Sequence, residues 1–290
     1  MSSIKTMKAW AIKIEQTEKI PAAFQKPMEQ VLEEDAEFPY IIYAPVNEKT
    51  GKPAQDTLLA MTEGAVWVLM DERQQVSVVR FSTQEIQTIQ MGTVLLQSWV
   101  TFCGKAAGNN ECAVVYYDAV MEELFVPVLE TVRTKMLQIP AEAQEIQANE
   151  LNYLKDASLK FYNYGVQSLM PGQKVCCSVY QPQVEEKALK QFQAYETAAH
   201  LFILTEEELI LIQETEQEDK SATQKYSGIW TRFPIRQIEG FHVEDEEDGR
   251  WMKVSVRAQG QEPVKVIIDP RNRQAIQTLS NHLGDALGWG

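Results

Sequence analysis

Short stretches in which apolar and polar residues alternate run through most of the chain, separated by Gly, Asn, Asp, Pro or charged residues. A period of two in segments rich in Val, Ile, Tyr, Trp and Phe marks half-buried strands. In the first half these strands are predicted at 39–46, 57–62, 65–70, 76–81, 85–91, 94–102 and 111–117. Asp118 then offers a helix cap, and the period changes to that of a helix. Val120, Leu124, Val128 and Val132 form one stripe, which Phe125 and Leu129 widen. The second half repeats the plan at 174–181, 199–205, 208–214, 225–233, 236–243, 251–258 and 263–268. Asp269 and Pro270 supply a cap and a first-turn proline, Ile276, Leu279, Leu283 and Leu287 form the stripe, and Gly288 lies just beyond it.

The two halves also align residue on residue. At an offset of 137, Phe24 falls on Phe161, Gln30 on Gln167, Leu32 on Leu169, Tyr43 on Tyr180 and Pro45 on Pro182. At 143, Leu58 falls on Leu201 and Thr62-Glu63 on Thr205-Glu206; at 152, Arg80-Phe81 falls on Arg232-Phe233, Ile86 on Ile238 and Trp99 on Trp251. At 151, Asp118 falls on Asp269. The order holds over more than a hundred residues, and length changes only where turns are expected, so an internal duplication is predicted. Residues 24–34 and a helix running on from Ala141 to Ala148 read as matching lead-ins, which divides the chain into domains 1–140 and 141–290.

Seven short strands closed by an amphipathic helix resemble the pleckstrin-homology (PH) plan, in particular the bacterial PH-like and GRAM-like families. The resemblance is carried by the hairpins beginning Leu58-Leu59 and Leu201-Phe202, each with its Thr, and by Arg80-Phe81 to Ile86 and Arg232-Phe233 to Ile238. It covers about 24–135 and 158–287. It implies a mainly β chain with helices: two tandem seven-stranded barrels or sandwiches, each closed by a C-terminal helix. It specifies no single function, because folds of this kind host many unrelated roles. Members that grip phosphoinositides place several cations in the first hairpin loop. Here Lys49 and Lys52 face Glu48 and Asp56, while Lys187 and Lys190 face Glu185, Glu186 and Glu196, with no arginine in either loop. That departs from the lipid-binding pattern.

Charge narrows the partners. Against 27 Lys and Arg stand 41 Asp and Glu, a net charge of -14, so nucleic acid is not expected and an anionic membrane headgroup is disfavoured. No apolar run is long enough to cross a bilayer, and the first fifteen residues lack a signal-peptide core, so a cytoplasmic protein is expected. Cys103, Cys112, Cys176 and Cys177 show no C-x-x-C spacing and read as reduced thiols; the alternative is a disulfide between Cys103 and Cys112, which flank a turn and can face each other across a hairpin.

No catalytic constellation is visible, and no cofactor or metal site is predicted. His200, His242 and His282 lie in different elements; His200 opens an apolar strand and reads as a solvated or hydrogen-bonded strand-edge residue. Glu244-Asp245-Glu246-Glu247-Asp248 reads as a solvated hairpin tip. On 251–257 the alternation puts Met252, Val254 and Val256 on one face and Trp251, Lys253, Ser255 and Arg257 on the other. Trp99 takes the equivalent outward position. Packing against a lead-in helix or the other copy accounts for both tryptophans; alternatively Trp99, Trp251, Lys253 and Arg257 line a recognition surface. The expected function is non-enzymatic binding of a protein or peptide partner, with a homo-oligomer left open. A lipid headgroup or a small molecule held between the domains are the alternatives.

Overall fold

The structure, a computed structural model, describes residues 10–34, 36–46, 55–72, 75–140, 145–185, 195–214, 227–246 and 249–289. The chain divides into two compact units, Met1–Gln138 and Ile139–Gly290. Both are mainly β, antiparallel throughout their sheets, and end in a helix.

Unit 1 runs β1 (Ile12–Ile14), α1 (Ala22–Glu34), β2 (Tyr40–Ala44), β3 (Thr57–Met61), β4 (Ala65–Glu72), β5 (Gln75–Ser82), β6 (Ile86–Val94), β7 (Gln97–Ala106), β8 (Asn109–Asp118) and α2 (Glu122–Leu137). The first five strands form a meander in chain order. Phe24, Met28 and Val31 of α1 pack on one face of it, against Ile41, Leu58, Trp67 and Leu69. Glu34 closes this helix onto the sheet. One carboxylate oxygen accepts from Trp67 Nε1 at 2.8 Å, the other from Arg80, whose guanidinium lies 5.4 Å from the Trp67 ring. β6, β7 and β8 form a second meander. The Tyr117 ring stacks at 3.8 Å on Phe125 of α2, whose buried side is completed by Val128, Leu129, Val132 and Met136.

Unit 2 runs α3 (Leu154–Ala157), α4 (Leu159–Ser168), β9 (Val175–Gln181), β10 (Val184–Glu185), β11 (Tyr195–Thr197), β12 (His200–Thr205), β13 (Glu208–Gln213), β14 (Ser227–Pro234), β15 (Ile238–Asp245), β16 (Met252–Ala258), β17 (Val264–Ile268) and α5 (Arg273–Leu287). Three layers result. Leu154 and Phe161 of the lead-in helices cover Leu201, Ile203, Ile210 and Ile212 on one face of the β9–β12–β13–β14 ladder. The opposite face, with Phe202, Leu204, Leu209 and Leu211, packs on Val254, Val256, Val266 and Ile268 of the β15–β16–β17 sheet. Ile276, Leu279 and Leu283 of α5 complete that core.

Several local devices occur in both units. Thr62 Oγ1 receives the Ala65 N–H at 3.2 Å, and Thr205 Oγ1 receives the Glu207 and Glu208 N–H groups at 3.2 and 3.0 Å, each closing a tight hairpin. The β6 ladder shifts register between Ile86 and Thr88, and the β15 ladder between Ile238 and Gly240. Asp118 and Asp269 each cap a 3-10 turn that runs into the closing helix.

The structure departs from the expectations drawn from the sequence. The strands of each unit divide between separate open sheets, among the described residues, so the barrel form of the expectation does not hold: the chain turns a corner before β6 and before β15, and a new ladder begins instead of a closed one. Val120 lies in the capping turn at 57% exposure and does not join the α2 stripe. Of the helix expected over Ala141 to Ala148, residues 141–144 lie outside the described residues. Beyond them Gln147 instead makes a β-bridge to Lys174. Cys103 and Cys112 are joined in a disulfide, not reduced. Strands β7 and β8 continue to a turn at Ala107-Gly108, where φ is 47° and 86°, and their register sets the two cysteines opposite each other with Cα atoms 4.2 Å apart.

Candidate functional site

The outer face of the β15–β16–β17 sheet is built by simple alternation. Met252, Val254, Val256 and Ala258 turn into the core, so Lys253, Ser255 and Arg257 take the other face, on which Ser255 is itself buried. The register sets Lys253 beside Glu244 and Ser255 beside His242. Both cations carry ion pairs, Lys253 Nζ to Glu244 at 3.1 Å and Arg257 Nε to Glu239 at 3.5 Å. The His242 ring lies over Gly240, where a Cβ would meet Nε2 at 2.9 Å. Trp251 precedes β16 and is buried at 8% exposure, while Lys253 and Arg257 remain accessible. Trp99, in unit 1, lies half-buried across its strand partner Gly92, where a Cβ would sit 2.0 Å from the indole; no side chain fits there. Of the four predicted residues, Lys253 and Arg257 therefore share an accessible face, and Trp251 stands at its start as a buried anchor.

The hydropathy pattern does not identify the free edge of this sheet. Among the described residues β15 has a hydrogen-bonded neighbour, β16, on one side only. Asp245 at its end pairs with Arg273 in the first turn of α5, tying the edge to the helix, and Val243 stands 37% exposed along it. The sequence marks the strand itself but not which strand ends the sheet. Glu244 and Asp245 of the acidic tip are thus engaged with Lys253 and Arg273, while Glu247 and Asp248 lie outside the described residues. So do Glu48, Lys49 and Lys52 of the first loop, and Glu186, Lys187 and Lys190 of the second.

Buried polar groups lie elsewhere in unit 2. His200 is a correction to the strand-edge expectation, for β12 runs between β9 and β13 and the ring is 3% exposed. Nδ1 lies 3.1 Å from the Ala198 carbonyl, Nε2 has no hydrogen-bond partner among the described residues, and the ring meets Phe202 edge-on. Burial pulls the imidazole pKa down to about 4, so the ring is neutral at pH 7. Gln181 Oε1 receives the Asp269 N–H at 2.9 Å and Asn272 Nδ2 at 3.0 Å, which fixes the start of α5 against β9. Cys177 is pushed up to about 12 by burial and Cys176 is raised by the same cause, so neither thiol is an activated nucleophile.

Among the described residues no cluster of His, Cys, Asp and Glu is arranged to hold a metal ion, and no helix is long and apolar enough to cross a membrane. Comparison with known proteins gives no match to a family model and none to a curated protein.

Proposed function

We propose that the chain is a duplicated pair of PH-like units that binds a protein or peptide partner and carries out no chemistry on it. Duplication is supported by contacts that recur at the aligned positions. Phe24 packs edge-on to Tyr43 with ring centroids 6.2 Å apart, and Phe161 meets Tyr180 at 5.0 Å. The threonine turns, the register shifts after Ile86 and Ile238 and the capped 3-10 turns at Asp118 and Asp269 recur in the same order. The PH-like reading is supported by the β9–β12–β13–β14 ladder and the three-stranded β15–β16–β17 sheet of unit 2, with α5 completing the core between them.

The observation that carries the binding reading is the β15 edge beside α5. PH-like folds present this kind of strand-and-helix groove to extended peptides, which add to the sheet by backbone hydrogen bonds. Val243 offers an apolar contact, and His242, Glu244 and Arg257 offer polar ones. Affinity capture with the full chain and with Val243→Asp tests the assignment. A protein retained by the wild type and lost with the variant supports it; retention equal in both, or turnover of a small substrate by the purified chain, contradicts it.

A further inference from the structure

One surface in unit 1 runs against ordinary folding economy. The β6–β7 hairpin turns through Leu95 and Leu96, which are 50% and 66% exposed. Leu95 has φ of 59°, in the left-handed region where glycine or asparagine fits at lower cost. A turn selected for folding alone would carry neither two exposed leucines nor a leucine with that backbone. The Ala119 N–H donates to the Leu96 carbonyl at 2.8 Å, which fixes the hairpin tip beside Val120, itself 57% exposed. Val120 is held in turn by the Asp118 carboxylate, which receives its N–H. Three apolar side chains are thus presented on backbone that is held from both sides.

The two segments that form this tip carry charge of one sign. Asp118, Glu122 and Glu123 fall in the segments that form it, and no Lys or Arg occurs in residues 92–98 or 116–126. An anionic lipid surface is repelled by that rim, and a second copy of a chain with net charge -14 brings more negative charge to it. A segment with an apolar stripe flanked by cations complements both features at once.

We propose that Leu95, Leu96 and Val120 form a docking knob for a cationic amphipathic helix of a partner protein, with Asp118, Glu122 and Glu123 steering its Lys or Arg side chains. The inference rests on the reading of the chain as a binding protein and adds a second contact, apart from β15. The hairpin between β15 and β16, which carries Glu244, Asp245 and Glu246, has no such leucine pair, so the knob belongs to unit 1 alone.

The test uses the full chain and a labelled synthetic eighteen-residue helix of Leu and Lys, alongside a scrambled peptide of the same composition and one with Lys replaced by Glu. The amphipathic cationic peptide is expected to bind, to weaken with salt, and to shift the amides of Leu96 and Val120. The double variant Leu95→Asn, Leu96→Asn is expected to weaken it by about tenfold or more while its melting temperature stays level or rises, since asparagine tolerates the left-handed turn. Equal binding by wild type and variant, equal binding of the scrambled peptide, a preference for anionic phospholipid vesicles, or self-association lost with the variant each overturns the proposal. A chain that holds the peptide at this tip yet retains no protein in capture refutes the wider function and leaves the knob standing; retention through β15 with no peptide bound refutes the knob alone.

Discussion

His200 carries the clearest residue-scale consequence. Its folded pKa, about 4, lies below the value near 6.5 expected of an unfolded histidine, so the folded state favours the neutral ring. The stability this contributes is present in full above pH 6.5 and is lost as pH falls toward 4, by up to about 3 kcal/mol. Unfolding curves across that window, compared between wild type and His200→Phe, isolate the effect: the difference between them is expected to change with pH, and parallel curves would contradict a buried neutral ring. In unit 1 Glu34 is the equivalent test case. Glu34→Ala leaves the Trp67 N–H without its acceptor at 2.8 Å and is expected to cost about 1–3 kcal/mol in chemical denaturation. Neither role is legible in the sequence. A histidine beginning an apolar run looks the same on a central or an edge strand, and Glu34 meets Trp67 only because α1 packs across the sheet.

At the scale of elements, alternation and turn chemistry locate most strands to within a residue or two. β12 and β13 are read from apolar runs that end at Thr205 and resume at Glu208, and α5 from an Asp-Pro start, a stripe and Gly288, where φ is 68°. The pattern is weaker where short-range cues compete. β1 is three residues long, and Leu95-Leu96 looks like strand although it is turn. Thr62 and Thr205 close their hairpins with side-chain oxygens, so Thr62→Ala is expected to cost about 1 kcal/mol. Thr205→Ala, which removes an acceptor for two N–H groups and a contact with buried Gln173, should cost about 2–3 kcal/mol. Paired denaturation curves check the order; a costlier Thr62 variant would contradict the hydrogen-bond account. The Cys103–Cys112 disulfide closes a short loop on a hairpin already laddered, and Cys112 is exposed. Cys103→Ala with Cys112→Ala should lower stability by about 2 kcal/mol and leave the far-ultraviolet circular dichroism unchanged. Loss of strand signal would mean that the bond, not the ladder, holds β7 to β8.

For the molecule as a whole, self-alignment of the sequence identifies the positions at which aromatic contact, turn, register shift and cap recur, because each depends on residues close in the chain or matched by period. The edge at β15 is different in kind: an edge is defined by the neighbour a strand lacks, which no local pattern encodes. The central claim is that this edge receives a polypeptide. Its most direct measurement is site-specific photo-crosslinking in cells that express the full chain, with a photoreactive residue in place of Val243 and another at the exposed Lys19 of unit 1. The account predicts that one protein is captured from position 243 and not from position 19, through a short contiguous peptide. Crosslinks to lipid alone, or the same products from both positions, would contradict it.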